Sequence, residues 1–243
     1  MITTEDRTVG QIVAENLALA QVFERHQIDY CCRGHRTLAE ACADSGTPLE
    51  TIEAELAATV PESTAVDWTT ERLTNLIRHI VDRHHTYLQR TLPSVDGKLS
   101  KLIEAHAESH GAMLSQLHGV FARLRAELEA HMQKEELILF PAIVRLEDAA
   151  DRGDPPPPAP GGTVNNPIRM MVHEHDDAAA ALRSLRSLSD NYCPPEDACT
   201  TFRALYAQLQ EMEVDLHSHI HLENSILFVR AAELEARLSA VTR

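Results

Sequence analysis

From Thr69 to the carboxyl terminus, apolar residues recur every three or four positions in four long segments, roughly 69–92, 98–148, 165–190 and 196–240. An α-helix turns once in about 3.6 residues, so this spacing lines each segment's apolar side chains along one face. Breakers separate the segments: Pro93, the proline run between Asp154 and Gly162, and Pro194 with Pro195. Gly111 and Gly119 mark further points at which the second segment could divide. Four such segments in series predict an all-α fold, an antiparallel four-helix bundle over residues 66–243. Ahead of it, Val9, Ile12, Val13, Leu17, Ala20 and Phe23 keep helical spacing, Asp29 to Gly34 interrupt it, and short helices follow around Leu38 and Ile52. This predicts a small helical unit over residues 1–62, with Pro61 to Asp67 as a polar linker.

The bundle segment also repeats itself. His131-Met-Gln-Lys-Glu135-Glu-Leu-Ile-Leu-Phe140 returns as His219-Ile-His-Leu-Glu223-Asn-Ser-Ile-Leu-Phe228, an offset of 88 residues. Two helical hairpins related by a pseudo-two-fold axis would each supply half of whatever lies between them.

A His and a Glu four residues apart on a helix share a face and can reach one metal beside it. About one such pair is expected by chance, and the chain has two, so the count decides nothing. Their placement does. One pair lies on the stripe Leu124, Leu128, His131, Glu135, Ile138, Ala142, and the other on Met212, Leu216, His219, Glu223, Ile226. These are bundle-core positions, where a carboxylate needs a partner, and a cation is an economical one. The third segment puts His175 on the stripe Ile168, Met171, His175, Ala178, Leu182. The first presents His84 and His85: the period upstream, Leu73, Ile77 and Ile80, favours His84, and Leu88 and Leu92 downstream favour His85. Four imidazoles and two carboxylates, each carboxylate bridging, would give two metals two nitrogens and two oxygens apiece. Mixed imidazole and carboxylate with open positions suits iron, and admits manganese or zinc. The other histidines, His217 and His221 among them, read as surface residues or supports.

The composition agrees with helices, with only 9 glycines and 4% aromatics in 243 residues. A formal charge of −15 disfavours nucleic acid and anionic membranes as partners, since both reward a basic face. The chain shows no apolar stretch of about 18 residues and no leader pattern, which predicts a cytoplasmic protein. Five cysteines, an odd number without framework spacing, predict reduced thiols. Cys31 and Cys32 are adjacent, so thiol chemistry suits them better than a bridge between neighbours.

Together these residues resemble the repair-of-iron-centres family of hemerythrin-like di-iron proteins. Asp29-Tyr30-Cys31-Cys32-Arg33-Gly34 with Thr37-Leu38 is similar to the family's amino-terminal signature. His131 to Glu135 with Leu139-Phe140-Pro141, Glu174-His175-Asp176, Cys199-Thr200-Thr201 and His219 to Asn224 are similar to its bundle. The resemblance covers nearly the whole chain. It implies a hemerythrin-like four-helix bundle holding two non-haem irons with carboxylate and oxo or hydroxo bridges, on His85, His131, Glu135, His175, His219 and Glu223. His85 is chosen there by its distance to Leu92-Pro93. Both carboxylates follow their histidines by four residues, unlike oxygen-carrying hemerythrins, in which the step is five. The implied function is cytosolic repair of iron–sulfur clusters damaged by nitric oxide or oxidants. Iron would be donated to iron–sulfur protein clients, nitric oxide or dioxygen would be the small ligand, and Cys31 and Cys32 would serve in redox or iron transfer. The alternatives are reduction of nitric oxide to nitrous oxide and non-catalytic scavenging or sensing. Oligomeric state stays open between monomer and homodimer.

Overall fold

A computed structural model describes residues 6–59 and 66–241. Among them, four short helices, α1 (Val9–Glu15), α2 (Ala20–Arg25), α3 (Leu38–Ser45) and α4 (Leu49–Ala58), precede four long ones. Of these, α5 runs as Leu73–His79, a π-helical turn Ile80–His85 and Thr86–Ala105, and α6 as Gly111–Lys134, a π-helical turn Glu135–Leu139 and Phe140–Arg152. Helix α7 is Asn165–Leu188, and α8 runs as Thr200–His221, a π-helical turn Leu222–Leu227 and Phe228–Val241. The boundary expected between residues 62 and 66, with most of the linker, lies outside the described residues.

The apolar period in the small unit is divided rather than continuous. The Asn16 side chain accepts a hydrogen bond from the Ala18 amide at 3.1 Å, ending α1 and starting a turn into α2. Thr8 and Thr37 each close a reciprocal capping box, with Gln11 and Glu40, satisfying amides that the first helical turn leaves unpaired.

The break expected at Pro93 does not occur: α5 continues through it to Ala105. A helix-interior proline costs about 3 kcal/mol. Leu92, Val95, Leu99 and Leu102 are all essentially fully buried on the same face, and burying one such side chain contributes roughly 1.5–3 kcal/mol, so the stripe outweighs the lost bond. The chain turns instead at His106–His110, and Gly111 opens α6. No helix among the described residues is long and apolar enough to cross a membrane.

The bundle core is two apolar clusters. Leu88, Phe121, Leu128, Leu182, Phe202 and Leu216 belong to one, and Leu76, Ile80, Leu139, Ile143, Met171 and Ile226 to the other. Every long helix crosses from one to the other, and a buried polar layer lies between. The small unit has its own core, which includes Ile220 of α8. It docks tightly: a Cβ on Gly10 would lie 2.8 Å from the Gly34 carbonyl and 2.8 Å from Ser225 Oγ, and one on Gly34 would lie 2.6 Å from the Tyr30 carbonyl. Glycine at both positions is what lets the Cys-Cys loop reach α8.

Candidate metal centre

The polar layer holds six side chains in two overlapping groups, His85, Glu135, His219, Glu223 and His131, Glu135, His175, Glu223, each with its ligating atoms within 4.8 Å of one another. Both glutamates belong to both groups. All six residues are buried, and Glu135, Glu223 and His85 have no exposed surface.

Three of the four helices change pitch here. The π-helical turns of α5, α6 and α8 include or adjoin His84 and His85, Glu135, and Glu223. A π turn takes one more residue than an α turn and so shifts every later side chain around the axis. That is why two periods compete in α5. Leu76, Ile80 and His84 are buried on the upstream phase, and His85, Leu88 and Leu92 on the downstream phase. His85 enters the cluster; His84 stands behind it, with its ring 5.4 Å from that of His219 and nearly parallel to it, and its Nδ1 3.1 Å from Asp215. The same slip corrects the α6 stripe: Ile138, expected in the core, is 44% exposed, and Leu139 is buried in its place.

The donor set fits cations. Glu135 Oε1 lies 3.3 Å from His131 Nε2 and Glu135 Oε2 3.4 Å from His85 Nε2, yet neither oxygen, nor His85 Nε2, makes a hydrogen bond. His175 Nε2 sits 3.1 Å from His131 Nε2 and 3.1 Å from Glu223, and His219 Nε2 lies 3.1 Å from Glu223 Oε1. Lone pairs of several groups converge on shared points, which is costly for buried polar atoms unless a cation takes them up.

Behind the cluster, three imidazoles are oriented by their other nitrogen. Nδ1 of His85 donates to Glu136 at 2.7 Å, that of His131 to Glu174 at 2.8 Å, and that of His175 to Asn224 at 2.9 Å. These bonds leave Nε2 of each as the free lone pair when the ring is neutral. His219 Nδ1 has no such acceptor. Glu174 also pairs with Lys134. Burial pushes the His131 imidazole down, but the neighbouring Glu135 and Glu223 carboxylates outweigh it and carry it up to about 9. Burial opposes ionisation of Glu223 as well, and the His219 and His175 rings nonetheless hold its carboxyl well below the usual range. A cation entering here displaces the His131 proton, so affinity should rise with pH until that group is neutral. A cavity of about 330 Å³, lined among others by His131, Glu174, His175, Leu216 and His219, opens onto this side.

Residues 5–60 match the ScdA_N family, a domain of unknown function, and residues 76–231 match the hemerythrin HHE cation-binding domain. The iron-sulfur cluster repair protein YtfE of Citrobacter koseri is 35% identical over 226 residues, covering 93% of this chain and 96% of that protein. The chain belongs to the repair-of-iron-centres family of hemerythrin-like proteins. Proteins of the same description from Enterobacter sp. (strain 638) and Escherichia coli (strain K12 / DH10B) are 35% and 34% identical over the same shares.

In this family member, the residues that hold the imidazoles from behind were not singled out in the sequence, yet the repeat marks two of them. Glu136 and Asn224 each follow a cluster glutamate and each receive Nδ1 of a histidine from the neighbouring helix. His217 and His221, expected as surface residues or supports, lie against the small unit. His221 is fully buried with its ring 5.4 Å from that of Tyr30, and His217 donates to Glu24 at 2.7 Å. Buried carboxylates also occur away from the cluster. Glu147 accepts from the Leu73 and Thr74 amides, and Glu213 pairs with Arg186 at 2.8 Å. Cys31 and Cys32 lie beside the centre, where Cys32 Sγ is 3.6 Å from the His175 carbonyl and Asn224 donates to the Cys31 carbonyl at 3.2 Å.

Proposed function

We propose that this protein restores damaged iron–sulfur clusters in the cytoplasm under nitrosative and oxidative stress. It would do so by donating iron from a two-iron centre on His85, His131, Glu135, His175, His219 and Glu223, and the same centre would bind nitric oxide. The observation that carries this is the pair of groups sharing Glu135 and Glu223, in a chain whose relatives are described as iron-sulfur cluster repair proteins.

Bound iron supplies exchangeable coordination positions and one-electron chemistry. The chain supplies the rest. Glu136, Glu174 and Asn224 keep three imidazoles in the ligating tautomer. The apolar clusters on either side exclude water and stiffen the shared carboxylates. The cavity beside His131, His175 and His219 admits a diatomic ligand. Glu135 and Glu223 with four neutral imidazoles would leave two ferrous charges only half balanced, which suits a centre that must both hold iron and release it.

Transfer of iron from the loaded protein to an apo-ferredoxin tests the repair reading, and retention of all iron would sink it. Changing Cys31 and Cys32 to Ala should slow that transfer. The cavity also admits a rival, reduction of nitric oxide at paired sites. Nitrous oxide formed over many turnovers by the diferrous protein would favour that enzyme, and one stoichiometric nitrosyl adduct would favour binding alone.

A further inference from the structure

Beside the His/Glu cluster, the Cys-Cys loop gathers a second set of donors. Asp29, Cys31 and Cys32 place a carboxylate oxygen and two sulfurs within 4.8 Å of one another. The two sulfurs are 3.8 Å apart, and Asp29 Oδ1 is 3.4 Å from Cys31 Sγ. A tetrahedral ion with metal–sulfur bonds of about 2.3 Å separates two sulfur ligands by about 3.8 Å, and a sulfur and an oxygen ligand by about 3.5 Å. A disulfide needs about 2.05 Å between sulfurs. The loop therefore holds its thiols at the spacing of ligands.

We propose that Asp29, Cys31 and Cys32 bind one thiophilic divalent cation at a site distinct from the His/Glu centre. The loop is preorganised for it. Asp29 Oδ1 accepts from the amides of Cys31 (3.2 Å), Cys32 (2.9 Å) and Arg33 (3.2 Å), which fixes the carboxylate against the two sulfurs, and Gly34 packs the turn onto α8. Without a cation the Cys31 sulfur stays protonated, since the Cys32 neighbour and burial push its thiol well above the ordinary range. Binding exchanges two thiol protons for one divalent ion, with no change of oxidation state. Cys31 is buried and Cys32 half-buried. A cavity of about 210 Å³, lined by Asp29, Cys31 and Arg183 among others, provides entry. Three protein donors leave a fourth position free for a ligand from a client.

Two sulfurs and one oxygen suit iron(II) or zinc(II) better than magnesium or calcium. That the resident ion is iron in transit rests on the repair reading; the existence of the site does not. The test is cobalt(II) titration of the full-length, thiol-reduced protein whose His/Glu centre is already iron-loaded. The expected result is one equivalent of cobalt with a sulfur-to-cobalt charge-transfer band, and X-ray absorption showing two sulfur ligands. Cys31→Ser and Cys32→Ser should each abolish the band. Asp29→Asn, which keeps an oxygen for the three amides but removes the charge, should weaken binding at least tenfold. The Cys193→Ser/Cys199→Ser double variant should bind as wild type. Absence of the band, fewer than two sulfurs, or a band lost only with Cys193 and Cys199 would overturn the site. Cobalt bound at these thiols in a protein that delivers no iron to apo-ferredoxin would sink the repair reading and sustain this one.

Discussion

The two halves of the His/Glu centre have the same ligand types and share both carboxylates, but they are held differently from behind. The repeat relates His131 to His219 and Glu135 to Glu223, and the antiparallel bundle carries the relation to His85 and His175. Glu136 and Asn224 are equivalent in it, one behind His85 and the other behind His175. The relation fails at one place. Behind His131 stands Glu174, an acceptor for Nδ1; in the corresponding place behind His219 stands His84, which stacks on the ring and accepts nothing from it. One half therefore has both imidazoles anchored and the other has one. The internal repeat accounts for the like ligands, and the difference at a single supporting position, Glu174 against His84, makes the two halves unequal.

The largest effect should come from the carboxylates, because both halves depend on them. Glu135→Ala or Glu223→Ala should reduce bound iron from two per chain to less than one, read by metal analysis with Mössbauer spectroscopy. Fewer than two irons in the wild type, or undiminished iron in either variant, would overturn the shared-carboxylate arrangement. Next comes the choice within α5. His85→Gln should cost one of the two irons and His84→Gln neither, and the reverse result would mean that the π-helical turn was assigned the wrong outcome. Removing the metals altogether should lower the melting temperature by several degrees, since a ligand at a thousandfold excess over its Kd contributes about 4 kcal/mol; an unchanged melting curve would show that the bundle does not need the centre. Smaller again are the supporting residues. Glu174→Ala and Asn224→Ala should each weaken the His131/His175 iron about 10- to 100-fold, and Glu136→Ala should cost the other half less, because the Glu136 side chain is about a third exposed and water can replace it. In a chelator challenge the iron on His85 and His219 should leave first. Release at equal rates would erase the contrast between the halves.

Much of this centre was legible before any coordinates. Placement of His131, Glu135, His175, His219 and Glu223 on apolar stripes brings five of the six residues together, because a side chain on a bundle's inner stripe has nowhere else to point. The α5 position was not fixed by periodicity, since two stripes out of phase by one residue are joined by a π turn, and the competing periods record the slip without saying which histidine enters the cluster. Ile138 was misplaced for the same reason, and the break expected at Pro93 failed because local propensity is outweighed by a buried stripe. Buried charge was also a weaker pointer than it looked, as Glu147 and Glu213 satisfy theirs with helix amides and an arginine.

The sequence by itself determined the all-α class, the four long helices and the repeat that supplies like ligands from opposite sides, because these follow from periodicity and spacing along one chain. Periodicity left His84 and His85 open and the resemblance pointed to His85; only the tertiary structure decided how the π turn brings that ring into the cluster, which acceptors hold each imidazole, and that Cys32 Sγ lies against the His175 carbonyl. Those outcomes depend on phase shifts inside helices and on contacts between residues 43 to 193 positions apart, which periodicity along one chain does not fix.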